Sequence, residues 1–234
     1  MKRLLLFILF LPALMSAQVP GRNYQEEIAA NTELIKSEPK NINAYANRAV
    51  AEWGLKEYQL AIQDYEVAIS LEKKYPWIYY NNIGIIKEGM GDLNGALESF
   101  TKGIQANREN GIYANRARVW FNLKDYNAAI ADYTTAIAVI DKVARKPGNA
   151  FYLNTLCDFY VARGQIKLVA KDDQGAFADF DQVLTLSPEN AKAYNGRGTA
   201  KNHLGDKEGA CSDWNKAVNL RYKRAAENIA RFCN

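Results

Sequence analysis

Histidine, cysteine and proline are scarce in this sequence: 234 residues include one histidine, three cysteines and six prolines. Because His203 is the only histidine, a histidine-rich zinc site cannot be assembled, and any histidine-based catalytic triad would depend on this one residue. Three cysteines are too few for a four-cysteine metal site or for a disulfide scaffold. No two carboxylates stand out as a general acid and base. These absences argue against an enzyme, and we expect no cofactor and no metal.

Excess charge and long apolar runs are also lacking after the first residues. Lysine plus arginine number 30 and aspartate plus glutamate 26, a balance that does not favour nucleic acid as a partner. The one long apolar run follows two basic residues and ends at Ser16-Ala17. It is shorter than the ~20 residues that span a bilayer. Residues 1–17 are therefore predicted to be a secretory signal peptide cleaved before Gln18, rather than a retained anchor. We expect a periplasmic or extracellular protein, without membrane insertion after cleavage.

A repeated segment takes the place of a catalytic motif. The stretch YANRAVAEWGLKEYQLAI at 45–62 returns as YANRARVWFNLKDYNAAI at 113–130, and related copies open at Tyr80, Tyr160 and Tyr194. Each copy has an alanine 16 residues after its opening tyrosine, and four residues later an aromatic residue: Tyr65, Phe100, Tyr133, Phe180 or Trp214. A small or β-branched residue stands three positions further on, and spacings of 3, 4 and 7 describe one face of an α-helix. A single hairpin of such helices buries its apolar face only by stacking on another.

This pattern resembles the tetratricopeptide repeat family, over nearly the whole chain that follows residue 17. The resemblance implies an all-α, right-handed solenoid with a leading half-repeat helix at 22–38 and a capping helix at 221–234. Between them, residues 42–220 would form five helical hairpins, at 42–75, 77–109, 110–146, 150–190 and 191–220. Ala129 and Ala176 are 47 residues apart, thirteen more than one period. We therefore expect lengthened helices around 141–153.

An arginine of the first helix and an aspartate 16 residues later recur together. The pairs are Arg48 with Asp64, Arg116 with Asp132, Arg163 with Asp179, and Arg197 with Asp213. In the second repeat both are replaced, by Ile83 and Ser99. This joint presence and absence indicates a structural ion pair across each hairpin. The alternative is a row of arginines that bind a ligand.

The resemblance also implies a binding surface. In tetratricopeptide proteins the first helices line a concave groove that receives an extended peptide or a partner's helix, and in some members asparagines hold the peptide backbone. A carboxamide both donates and accepts hydrogen bonds, so it suits a peptide unit of any sequence. The corresponding groove residues here would be Asn47, Asn82 and Asn115, with Trp53, Asn81, Arg118 and Phe121 nearby. Alternatively, the asparagines bond to neighbouring helices.

The C-terminal cysteines form a third candidate feature. If the repeat period continues, the capping helix packs against the helix that carries Cys211, and Cys233 ends the cap. In an oxidising compartment this arrangement favours a disulfide, as the resemblance to other exported repeat proteins also implies. The alternative is two buried free thiols. Cys157 would then be the odd cysteine, in a buried position.

Together these features predict a non-catalytic protein–protein interaction module of the cell envelope, acting as an adaptor or assembly factor. Its partner would be a protein or peptide, with no role for nucleic acid. The lysine and asparagine pattern by which related proteins capture a C-terminal carboxylate is absent, which disfavours a chaperone tail. One alternative is a structural protein that self-associates through the lengthened helices. A further alternative is a carbohydrate-binding or enzymatic module.

Overall fold

A computed structural model describes residues 21–107, 110–146 and 148–233. Within these ranges the chain forms twelve α-helices and no strand. The predicted signal peptide lies outside the described residues. The chain divides into two compact units, Met1–Val119 and Trp120–Asn234, and each is described by itself.

The first unit is built from helical hairpins. Its helices are α1 (Tyr24–Ser37), α2 (Ile42–Gly54), α3 (Tyr58–Leu71), α4 (Trp77–Gly89), α5 (Leu93–Ala106) and the larger part of α6 (Asn110–Asn122). Two hairpins form, α2 with α3 and α4 with α5, and α1 packs on α2. Their alanines allow close approach: Ala49 and Ala61 are completely buried, and Tyr65 fills the core beside Tyr79 at a ring distance of 5.9 Å.

The second unit contains the longest helices. They are α7 (Tyr126–Ala144) and α8 (Ala150–Val169), followed by α9 (Asp173–Leu186), α10 (Ala191–His203), α11 (Lys207–Asn219) and α12 (Arg224–Phe232). α7 has 19 residues and α8 has 20, whereas α9, α10 and α11 have 14, 13 and 13. The extra length lies where the sequence exceeds the repeat period. At 1.5 Å per residue, it lengthens the α7–α8 pair by roughly 8–10 Å.

The turn inside a hairpin has a common construction. The chain leaves the first helix through a residue with positive φ, such as Gly91 at 84° or Gly205 at 91°. The next residue, Asp92 or Asp206, caps the second helix by accepting a hydrogen bond from a backbone N–H three residues later, at 2.9 Å. Such a cap satisfies a donor that would otherwise be unpaired at the helix start. The Gly-Asp pairs of the sequence therefore mark turns.

An aromatic side chain of the second helix fills the space between neighbouring hairpins. Phe180 of α9 is completely buried. A Cβ added at Gly164 on α8 would lie 2.9 Å from its ring, and one at Gly196 on α10 would lie 2.4 Å from it. The two first helices can therefore close on Phe180 only because both positions are glycine. Phe100 and Gly84 repeat this contact in the first unit, at 2.5 Å.

The C-terminal helix closes the second unit. α12 packs on α11, where Phe232 stacks on Trp214 with ring centroids 5.7 Å apart. A disulfide joins Cys211 to Cys233, so these residues are not the two free thiols of the alternative interpretation. Cys157 is buried and unpaired on α8, and burial raises the pKa of its thiol. A neutral buried thiol is a packing group rather than a nucleophile.

Candidate functional site

Three of the repeated arginines, Arg48, Arg163 and Arg197, each connect three helices. Arg48 of α2 donates from Nε and Nη2 to the carboxylate of Asp64 on α3, at 2.6 and 2.7 Å. Its Nη1 donates to Thr32 Oγ1 on α1 at 3.1 Å. Arg48 therefore binds its own hairpin and also the preceding helix.

Arg163 and Arg197 repeat this geometry in the second unit. Arg163 makes two bonds to Asp179 at 2.9 and 2.6 Å, and a third to Thr134 on α7 at 2.9 Å. Arg197 makes two bonds to Asp213 at 2.8 Å, and a third to Asp181 on α9 at 2.7 Å.

The opening tyrosines take part in the same clusters. The guanidinium carbon of Arg163 lies 5.3 Å from the ring centroid of Tyr160, and the same contact occurs on α2, α6 and α10. Arg116 also donates to Thr101 at 3.1 Å, and Asp132 is buried. These contacts support the structural interpretation of the arginines over a ligand-binding row.

The hairpins differ at one position beside the ion pair. In the fourth and fifth repeats a lysine adds a second cation: Lys167 Nζ lies 3.0 Å from Asp179, and Lys201 Nζ lies 3.0 Å from Asp213. In the first repeat the same position carries Glu52, which is buried and 3.8 Å from Arg48 Nε. Burial raises the pKa of Glu52 to about 7, with the nearby Asp64 carboxylate adding to the effect and Arg48 opposing it. The first hairpin therefore holds two carboxyl groups around one cation.

Replacing Glu52 with glutamine is expected to make stability less dependent on pH. The pKa of Glu52 is raised from 4.5 to about 7 in the folded chain, so the folded state binds a proton that the unfolded state has lost. Stability from this group is fully present below about pH 4.5 and is lost as pH rises towards 7. Urea unfolding at pH 5 and pH 8 should show the wild type losing about 2 kcal/mol relative to Glu52→Gln. Equal pH dependence in the two proteins would contradict a neutral Glu52.

The candidate groove asparagines are not equivalent. Asn47 on α2 is exposed. Asn82 on α4 is partly buried, and its carboxamide lies near the Tyr65 hydroxyl, where it opposes the larger rise in that hydroxyl's pKa from burial. The Tyr65 hydroxyl has no hydrogen-bond partner among the described residues. Asn115 on α6 donates from Nδ2 to Asn81 Oδ1 at 2.8 Å. The bond of Asn115 therefore supports the alternative in which an asparagine of this position bonds to a neighbouring helix.

The fifth repeat explains why this position meets a neighbouring helix. Gly196 occupies it on α10, directly against the ring of Phe180 from the preceding hairpin. Asn82 meets Tyr65, the corresponding aromatic residue of the hairpin before it. The position thus lies over the inter-hairpin aromatic residue, where an asparagine faces the hydroxyl of Tyr65 and a glycine leaves room for the ring of Phe180.

A charged pair that sequence reasoning missed lies beside these asparagines. Arg118 on α6 donates from Nε and Nη2 to the two carboxylate oxygens of Glu88 on α4, at 2.8 and 2.5 Å. Its Nη1 donates to Asn115 Oδ1 at 3.2 Å. The sequence signal for this pair is a difference between the repeats: Glu88 stands at the position where the first and third repeats carry Trp53 and Phe121. Sequence reasoning named Arg118 without its partner.

The remaining predicted groove residues differ in burial and in the unit to which they belong. Asn81 is 5% exposed, so its role is to accept from Asn115 inside the stack of first helices. Trp53 is partly exposed on α2 and packs against the first core. Phe121 belongs to the second unit, where its ring lies 5.8 Å from that of Tyr126. The first unit therefore carries Asn47, Trp53 and Asn82 as accessible groove candidates. We call these three residues the α2–α4 surface.

Metal ligands do not converge in the described part of the chain, where no group of three or more His, Cys, Asp or Glu residues could hold an ion. His203 is exposed, and its Nδ1 lies 2.7 Å from Asp173 Oδ1. Across residues 21–107, 110–146 and 148–233, no helix combines the length and apolarity needed to cross a bilayer.

Comparisons with known proteins agree with this architecture. The family model described as tetratricopeptide repeat matches residues 42–75, 79–110 and 111–141. Small glutamine-rich tetratricopeptide repeat-containing protein 2 of Saccharomyces cerevisiae is 35% identical over 109 residues, which cover 47% of this chain and 29% of that protein. Hsc70-interacting protein 1 of Drosophila melanogaster is 33% identical over 102 residues, covering 44% of this chain and 24% of that protein. The chain thus spans less than a third of these curated relatives.

A solved structure extends the likeness to most of the chain. The C-terminal part of a tetratricopeptide repeat-containing protein from Cytophaga hutchinsonii superposes with a TM-score of 0.72 at 21% identity, over 90% of this chain and 83% of that one. The three matched segments are tetratricopeptide repeats, and the predicted all-α tetratricopeptide repeat fold is confirmed.

Proposed function

We propose that this protein is a non-catalytic adaptor or assembly factor of the cell envelope, and that it binds an extended peptide or a helix of a partner on the α2–α4 surface. The repeats support a protein–protein interaction module, and the Drosophila relative is named for its interaction with another protein. The partner of that relative is not assigned to this chain.

The distribution of polar groups on the first unit carries this proposal. Asn47 is exposed and Asn82 is partly exposed on successive first helices, with Trp53 partly exposed on the same helix as Asn47. Packed helices lie about 10 Å apart, which matches every third residue of an extended peptide at ~3.3 Å per residue. The nearby Arg118 is already bound to both Glu88 oxygens. The surface therefore offers neutral hydrogen bonds, which suit a peptide backbone better than a charged chain end.

Substitution of Asn47 is expected to weaken peptide binding without loss of stability. Peptides selected from a random display library on the wild-type chain serve as the probe, and their affinities are measured by titration calorimetry. Asn47→Ala should reduce affinity about fivefold, because one hydrogen bond is worth about 1 kcal/mol. Its free energy of unfolding should change by less than about 0.5 kcal/mol, since the side chain is exposed.

The matched control is Asn94→Ala, which removes an exposed asparagine from the second helix α5 of the same unit. This variant should bind the selected peptides as the wild type does. If Asn47→Ala and Asn94→Ala both bind as tightly as the wild type, the α2–α4 surface is not the peptide site. Failure to select any peptide would favour a folded partner surface over an extended segment.

The envelope location is supported by the N-terminal sequence and the C-terminal disulfide. Residues 1–17 have the pattern of an export signal, and the bridge between Cys211 and Cys233 suits an oxidising compartment. Protein isolated from its own cells should then begin at Gln18. An intact N-terminus together with two reduced cysteines would contradict export.

A further inference from the structure

The tip of the α7–α8 pair carries exposed apolar side chains. We use "tip" for residues 139–146 and 148–152, the end of α7, the beginning of α8 and the described part of the turn between them. Val139, Val143, Phe151 and Tyr152 are 37, 38, 61 and 40% exposed. The rings of Phe151 and Tyr152 contact one another edge to face, with centroids 5.5 Å apart. Such large side chains gain by leaving water, so their presence at one end of the α7–α8 pair calls for a partner.

The tip is also basic. It contains Lys142, Arg145 and Lys146 and one acidic residue, Asp141. Arg145 pairs with Asp141 at 2.7 Å, whereas Lys142 and Lys146 are exposed and form no ion pair with any described residue. Two uncompensated cations therefore accompany the apolar side chains. The near-neutral composition of the whole chain conceals this local charge.

We propose that the tip docks on an anionic phospholipid surface. Phenylalanine, tyrosine and valine side chains can enter the interfacial region, while the lysines remain at the level of the headgroups. Each basic residue near an anionic membrane adds to the attraction, and aromatic and aliphatic contacts need no particular sequence opposite them. The contact is peripheral, because the apolar part consists of a few side chains at the end of two helices.

A second copy of the chain fits the tip less well. Two identical tips would bring Lys142 and Lys146 of both copies together, with Asp141 already bound by Arg145. Like charges brought into contact oppose association. An anionic surface matches both the charge and the apolar character of the tip.

Vesicle co-sedimentation tests this proposal independently of peptide binding. The chain from Gln18 onward keeps every described residue and leaves out the N-terminal apolar run, which could bind vesicles by itself. It should sediment with vesicles of phosphatidylglycerol and phosphatidylcholine but not with phosphatidylcholine alone, and 0.5 M salt should weaken the binding about tenfold. The double variants Phe151→Ser/Tyr152→Ser and Lys142→Glu/Lys146→Glu should each weaken it about tenfold or more.

Matched controls place the same changes elsewhere on the surface. Leu60→Ser/Met90→Ser removes two exposed apolar side chains, and Lys40→Glu/Lys73→Glu reverses two exposed lysines. These controls should bind vesicles as the wild type does, and circular dichroism checks that every variant is folded. Absence of binding to anionic vesicles, or equal loss in tip and control variants, overturns the proposal. Light scattering that shows a dimer lost on Phe151→Ser/Tyr152→Ser would instead identify a second copy as the occupant.

Discussion

Replacing Arg48 with alanine is expected to cost about 3 to 5 kcal/mol of unfolding free energy, more than the same change at Arg163. Arg48 is the cation between two buried carboxyl groups, Asp64 and Glu52. Its loss leaves both without a compensating charge. Arg163→Ala should cost less, about 1 to 3 kcal/mol, because Lys167 remains 3.0 Å from Asp179. Urea unfolding at pH 8 measures the loss of stability in each variant. Hydrogen exchange of α3 and of α9 then shows the loss in the first and in the second structural unit, respectively.

A rescue variant separates this explanation from a general loss of packing. Arg48→Ala combined with Glu52→Lys places a lysine where the fourth and fifth repeats have Lys167 and Lys201. The double variant should recover at least half of the stability lost by Arg48→Ala. If the two single arginine variants lose equal stability and Glu52→Lys gives no recovery, the buried charge balance does not determine the difference.

Introducing a methyl group at Gly196 is expected to destabilise the second unit by about 3 kcal/mol. A Cβ at this position would lie 2.4 Å from two ring carbons of Phe180, far inside van der Waals contact. Phe180 is completely buried between α8 and α10, so its ring cannot move aside without displacing a helix. Thermal unfolding of Gly196→Ala should therefore show a lower Tm with the helical content retained.

Gly89→Ala is the matched control, since a Cβ there meets no atom within 4 Å. Alanine favours the helix over glycine, so this variant should be slightly more stable, by up to about 1 kcal/mol. Adding Phe180→Leu to Gly196→Ala should restore part of the loss, because leucine occupies less of the shared space. A Gly196→Ala protein as stable as the wild type would show that α10 can move away from Phe180.

The sequence was informative about the fold because each repeat carries the same packing positions. Phe100 and Phe180 are two of the aromatic residues that follow the repeated alanine by four positions. Both are completely buried, as inter-hairpin residues should be. Glycine or alanine recurs opposite a large ring because packed helices lie close together and leave no room for two large side chains. Joint replacement of arginine and aspartate in the second repeat likewise pointed to a contact 16 residues apart, and the structure places such pairs 2.6 to 2.9 Å apart.

The candidate site was harder to predict, because its contacts join residues about one period apart. Asn115 and Asn81 are separated by 34 residues, and Arg118 and Glu88 by 30. Periodicity assigns such residues to equivalent helices, but it does not say which side chains of those helices face each other. Asn47, Asn82 and Asn115 share one repeat position, yet their neighbours differ: open solvent, a tyrosine hydroxyl and a second asparagine.

From the sequence alone came the repeat family, the hairpins and the arginine–aspartate pairs, since all of these depend on local spacing. Only the tertiary structure decided that Arg118 is neutralised by Glu88, that Gly196 lies against Phe180, and that Glu52 shares one cation with Asp64. The reason is physical. Local spacing sets the face on which a side chain lies, whereas its partner and its burial depend on the helix that packs opposite, and hence on the identity of residues a full repeat away.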